Sequence, residues 1–174
     1  MPSPSIPASS PLSRLFAVVL LCCLVVAGKS LAAAGDRPGD RNWDRGANLG
    51  EALIDFAELQ HDRGAAGVAD AVRDCYAAID QVRGFTAEVE YCVALDLGLT
   101  YWWEGYQQYT FQSFGRKTPM PEFSEGDTVM ARILERLEKA GLSPEEAWRQ
   151  SLEISGVVKV GVHHAVVLRA QRGQ

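Results

Sequence analysis

The sequence has few basic side chains for its acidic content. Its 174 residues carry 17 Lys and Arg against 22 Asp and Glu, which gives a formal net charge of -5 at pH 7. Because a nucleic-acid-binding surface needs a basic field to hold phosphates, this balance argues against nucleic acid as a partner. The chain is 47% hydrophobic and 22% charged, which is typical of a globular protein and not of a disordered one. Its length suits a single domain.

The short motifs of common enzyme and cofactor sites are missing as well. The sequence has no Gly-x-Ser-x-Gly, no P-loop, no Gly-x-Gly-x-x-Gly and no Cys-x-x-Cys-His. Its three histidines are His61, His163 and His164. The last two are adjacent, whereas paired metal ligands on a helix are spaced by three or four residues. We therefore predict neither a metal site nor a cofactor.

No apolar run near the N-terminus is long enough for a standard membrane-spanning helix. The uncharged run from Leu15 to Ala27 has 13 residues, and a span needs about 20. Arg14 precedes the run and small residues follow it, which is the plan of a secretory signal peptide. We predict a signal peptide over residues 1–34, with cleavage near residues 32–34. The alternative is an uncleaved signal anchor, and only in that case would the membrane be a partner.

Cysteine is sparse, and its positions are informative. Of four cysteines, only Cys75 and Cys92 lie outside the signal segment. An exported protein resides in an oxidising compartment, either periplasmic or extracellular, where two cysteines normally form a disulfide. The alternative is two separate buried thiols.

The spacing of these cysteines predicts a helical hairpin. Cys75 lies nine residues before Gly84 and Cys92 lies eight residues after it. In an antiparallel pair of helices turning at Gly84, both sulfurs would stand about 12–14 Å from the turn and face each other. A redox-active pair would more often have the spacing Cys-x-x-Cys, so a structural role is favoured.

The remaining chain shows helical periodicity. Residues 35–46 are polar and predict a flexible lead-in, in which Trp43 is a candidate for docking on the core. A helical domain is predicted over residues 47–170, with helices beginning near residues 47, 68, 87, 127 and 143. Residues 154–168 are rich in valine and are ambiguous, but no second strand could pair with them, so a helix is favoured over a strand. The predicted fold is an all-α, single-domain bundle of about five helices with a disulfide-stapled hairpin.

Aromatic side chains are concentrated in residues 101–114, which hold seven of them. One interpretation is a wide core around this helix. The other is a binding surface that includes Trp102, Tyr106 and Tyr109, with the Pro-containing loop 115–126 as a lid. Trp and Tyr are common in sites for apolar ligands, sugars and protein partners.

Asp96 falls on the apolar side of the same predicted helix. A buried carboxylate must find a partner or change its pKa. The structural interpretation is a hydrogen bond to Tyr76, Arg73 or a backbone N–H, and the functional one makes Asp96 a weak candidate catalytic residue. Glu90 and Glu104 are expected to be solvated.

Together these features favour a non-enzymatic binding or interaction protein of the cell envelope. Its partner would be an envelope protein or a small apolar or sugar ligand. A second hypothesis is a small hydrolase or lyase that uses Asp96 with a tyrosine such as Tyr76 or Tyr106. A third is a membrane-tethered subunit of an envelope complex, which requires that the signal segment is not cleaved.

Overall fold

The computed structural model describes residues 42–172. The predicted signal peptide and residues 35–41 of the predicted lead-in lie outside the described residues. Within them the chain forms four α-helices and one 3-10 helix: α1 Arg45–Ala78, α2 Ala87–Phe114, the 3-10 helix Glu122–Ser124, α3 Gly126–Lys139 and α4 Pro144–Arg172. No strand occurs in this part of the chain, so the all-α prediction is confirmed.

The helix count is four in residues 42–172, where the sequence predicts five. The two helices predicted near residues 47 and 68 belong to one kinked helix, α1. The kink is at Gly64, whose φ of 68° and ψ of -174° are not helical. Glycine adopts positive φ without the steric cost that a Cβ would add. The glycine therefore interrupts the helix without separating its two halves by a loop.

Capping side chains define the starts of α2 and α4, as the sequence predicts. The Thr86 hydroxyl accepts a hydrogen bond from the Val89 N–H at 3.4 Å. At α4, the Ser143 hydroxyl accepts from the Glu146 N–H at 3.3 Å, and the Glu146 carboxylate accepts from the Ser143 N–H at 3.1 Å. This reciprocal pair is a capping box, which satisfies two backbone donors that the helix itself leaves free.

The valine-rich segment 154–168 is helical throughout, as part of α4. Its buried side chains Ile154, Val158 and Val162 recur every four residues and pack in the core. Val166 continues this side and is partly buried against the core, whereas Val157 and Val167 are about half exposed and Val160 is 81% exposed. By length and composition α4 is also the one described helix that could cross a membrane, although its buried face belongs to the bundle core.

α2 is the central helix of the bundle. Residues 92–100 are all buried, and α1, α3 and α4 each pack against α2. A helix that is covered on all sides has no polar face along the covered length. Gly98 allows one of the closest approaches, since a Cβ at this position would stand only 3.0 Å from Cδ2 of the buried Phe56 ring.

A disulfide between Cys75 and Cys92 joins α1 to α2, with their Cα atoms 5.6 Å apart. This distance is in the usual range for a disulfide. The predicted cysteine pairing is confirmed.

Candidate functional site

Asp96 lies in the fully buried stretch of α2 and has no exposed surface. Arg132 of α3 binds its carboxylate through two hydrogen bonds, Nη2 to Oδ1 at 2.6 Å and Nε to Oδ2 at 2.9 Å. The Tyr76 hydroxyl of α1 donates to Oδ2 at 3.0 Å. Three helices thus meet at one carboxylate, and both of its oxygens accept hydrogen bonds.

Arg132 is itself fixed by the segment between α2 and α3. Its Nη2 also donates to the Phe123 carbonyl at 2.9 Å, and its Cζ lies 3.9 Å from the centre of the Phe123 ring. The Thr100 hydroxyl reaches the carbonyl of Ser124, a neighbour in the 3-10 helix, at 3.4 Å. A guanidinium held by a bidentate carboxylate and an aromatic face has little freedom to move.

Burial controls the electrostatics of this centre. Desolvation raises the pKa of the Asp96 carboxyl, while the charge and hydrogen bonds of Arg132 and the hydrogen bond of Tyr76 act in the opposite direction. Desolvation, reinforced by the Asp96 charge, also raises the pKa of Tyr76 well above its usual value. Because the carboxylate is buried and both oxygens are bound, the arrangement is suited to joining helices and not to meeting a substrate.

The Tyr76 partner was one of those expected from the sequence, whereas Arg132 was missed. It lies 36 residues beyond Asp96 on another helix, so no local spacing connects the two residues. The only available signal was indirect. A buried carboxylate needs a cation, and Arg132 is one of two arginines in the amphipathic helix α3.

A second buried carboxylate corrects the sequence analysis. Glu90 was expected to be solvated, but it has no exposed surface. It accepts hydrogen bonds from the Trp43 indole at 2.8 Å and the Asn48 amide at 3.1 Å, and Arg45 Nε lies 2.7 Å from its other oxygen. The prediction was wrong because Trp43, just before α1, and Arg45 and Asn48 at the start of α1 cover this side of α2. Glu104 is exposed, as expected.

The three residues of the predicted aromatic surface have different environments. Trp102 is partly buried and packs against the core. Tyr106 stacks on it, with ring centres 5.3 Å apart and planes 9° apart, and is 39% exposed. Tyr109 is 59% exposed and makes an edge contact with Phe114. The surface therefore runs from the core border at Trp102 to solvent at Tyr109.

A groove of about 550 Å³ adjoins these rings. The side chains of Tyr106, Thr110 and Phe114 line it from α2, and Arg116 and Thr118 line it from the following loop. The aromatic walls can contact an apolar or sugar ring, and the guanidinium and hydroxyls can orient a polar group. The loop after α2 thus takes part in the groove.

The histidines are separate from this groove's lining. His61, His163 and His164 are all exposed, and none lines the groove. Within residues 42–172, no group of three or more His, Cys, Asp and Glu side chains is placed to hold a metal ion.

Two tyrosines, the buried Tyr76 and the partly buried Tyr91, give the stability of the fold a measurable pH dependence. The pKa of Tyr91 is raised, chiefly by desolvation and by its 2.6 Å hydrogen bond to Asp55, and the pKa of Tyr76 is raised as described above. An unfolded tyrosine ionises near pH 10. Above that pH the unfolded chain loses protons that the folded chain keeps, so the free energy of unfolding should fall as pH rises.

Alkaline titration of phenolate absorbance checks this expectation. Tyr76→Phe and Tyr91→Phe should each remove a phenol that remains protonated in the folded protein above pH 10. The stability of each variant should also fall less steeply with pH than that of the unmodified chain. If either substitution instead removes a phenol that ionises near pH 10 in the folded protein, the raised pKa of that tyrosine is contradicted.

No protein-family model matches the chain, and no curated protein or solved structure is significantly similar to it. Its function therefore has to be inferred from the geometry of its own residues.

Proposed function

We propose that the chain is an exported, non-enzymatic binding protein of the cell envelope. The observation that carries the proposal is the row of partly exposed rings beside a groove at the end of α2. Tyr106 and Tyr109 are 39% and 59% exposed, and Phe114 is 66% exposed. Large aromatic side chains grouped in this way are typical of binding surfaces, because they bury much area at little cost in side-chain entropy.

The buried environment of Asp96 supports a binding role over the hydrolase or lyase hypothesis. A general acid or base must come within hydrogen-bond reach of the reacting group. Both oxygens of Asp96 are instead bound by Arg132 and Tyr76, and the side chain has no exposed surface. Its proposed role is structural.

The scaffold that holds the groove is proposed to be the disulfide-stapled hairpin of the sequence analysis. The second half of α1 and the first half of α2 would be its arms. The Cys75–Cys92 bond and the hydrogen bond from Tyr76 to Asp96 both support this arrangement, since each joins those two segments. Two links within a few residues leave the arms little freedom to slide.

Export is proposed from the signal peptide predicted over residues 1–34. Its test is the intact mass of the protein from the exporting host. A mass that starts near residues 33–35 supports cleavage and a free periplasmic or extracellular domain. A full-length mass would favour the tethered-subunit hypothesis instead.

Photo-crosslinking in the producing cell tests the binding surface. A photoreactive phenylalanine analogue replaces Tyr109, and in a matched variant it replaces Glu138, an exposed residue of α3. We expect a discrete crosslinked product from position 109 and none from position 138. Because both positions are exposed, the thermal unfolding of the variants should match that of the unmodified protein. Folded protein with no product from position 109, or with the same products from both positions, would overturn the proposal.

A further inference from the structure

The carboxyl-terminal parts of α2 and α4 lie at the same end of the bundle. Tyr101 is hydrogen-bonded to Ser155, and further along both helices Gly105 lies against the His163 ring. Contacts that advance together along two helices mean that the helices run in parallel. Each continues for nine residues past the second contact, about 14 Å at 1.5 Å per residue, to Phe114 and Arg172. We call residues 105–118 and 163–172 the carboxyl end.

The carboxyl end exposes large apolar side chains. Those that are at least 39% exposed are Tyr106, Tyr109, Phe111, Phe114, Val167 and Leu168. Three of them, Tyr109, Phe111 and Phe114, are aromatic residues that are more than half exposed to solvent. Such a concentration of exposed apolar side chains is typical of a protein or membrane interaction site.

Charge is also segregated within these two segments of the chain. Residues 105–118 and 163–172 contain Arg116, Lys117, Arg169 and Arg172 and no Asp or Glu, although the whole chain has a formal net charge of -5. Arg169 lies 3.7 Å from Asp62 of α1, whereas Arg116 and Lys117 are exposed on the loop after α2. A basic end on an otherwise acidic protein is drawn to a negative surface and oriented by it.

We infer that the carboxyl end docks on a membrane surface containing anionic phospholipid. The inference rests on the proposed binding role of the Tyr109 surface and names its partner. The basic side chains would lie at the lipid phosphates, and Tyr and Phe rings would enter the interfacial layer, where aromatic side chains are favoured. Such a surface repels the acidic remainder of the chain, so the bound protein would contact the membrane through the carboxyl end.

Vesicle flotation of the purified exported protein tests the inference. The vesicles are phosphatidylcholine alone or phosphatidylcholine with phosphatidylglycerol. Arg116→Gln combined with Lys117→Gln is compared with a control pair of exposed cations elsewhere, Lys139→Gln combined with Arg149→Gln. We expect binding that requires phosphatidylglycerol, weakens with salt, and falls about tenfold or more in the first pair but not in the control.

The results separate this inference from the proposed function. Equal binding to both kinds of vesicle, no binding at all, or an equal loss in both pairs of variants would overturn the lipid assignment. A protein crosslinked at position 109 without vesicle binding, a second copy of this chain included, would keep the binding role and reject the membrane. Absence of both crosslinks and vesicle binding would reject both proposals.

Discussion

Replacing Arg132 with methionine is expected to lower the free energy of unfolding by about 3–5 kcal/mol, the usual cost of removing one partner of a buried ion pair. The Asp96 carboxylate would then lie in the core without its cation, because its side chain has no exposed surface. Urea unfolding followed by circular dichroism measures this change. Most of the loss arises from the stranded charge, so it should be partly recovered when Asp96 is also replaced by leucine.

Arg136→Met is the matched control for this experiment. Arg136 lies one turn further along α3 and pairs with Asp80 at 2.7 Å, but that carboxylate is exposed. Solvent screens such a pair, so its removal should cost far less than that of Arg132. If the two variants lose the same free energy of unfolding, the buried pair of Arg132 and Asp96 contributes no more to stability than the exposed pair of Arg136 and Asp80.

Removal of the disulfide has the second large expected effect. The Cys75–Cys92 bond closes a loop of 17 residues, and its loss should lower the free energy of unfolding by about 3 kcal/mol through the entropy of the unfolded chain. The measurement is urea unfolding of the oxidised protein with and without a reductant. This loss is a large share of the total, since a small domain is stable by only about 5–15 kcal/mol.

The variant that combines Cys75→Ala with Cys92→Ala separates the bond from other effects of the reductant. It should unfold near the midpoint of the reduced protein and should not respond to reductant. If the reductant breaks the bond, as shown by a mass gain of two hydrogens, yet the unfolding curve does not move, the disulfide does not stabilise the fold.

Local features of the fold could be predicted because their causes are local. The capping box of Ser143 and Glu146 acts within one helical turn, so its sequence spacing identifies the start of α4. The disulfide could be predicted because each cysteine is nearly the same distance along the chain from Gly84. The helical state of residues 154–168 followed from the lack of a partner strand, even though valine favours strands.

The links between distant segments could not be predicted in this way. Arg132 reaches Asp96 across 36 residues, and Trp43 reaches Glu90 across 47. Helical periodicity places a side chain on one side of its own helix but does not identify the segment that covers that side. The continuity of α1 through Gly64 was missed for a related reason. A glycine permits both a kink and a chain break, and packing decides between them.

The covering of Glu90 by Trp43, Arg45 and Asn48 limits how far proteases could trim the chain. Cleavage after Asn42 or earlier would leave all three partners of the carboxylate in place. Cleavage a few residues later would remove the indole and the guanidinium, leave only the Asn48 amide bound to the carboxylate, and open this side of α2 to solvent. We therefore expect trimming by proteases to stop just before Trp43, at a boundary set by one buried acid on another helix.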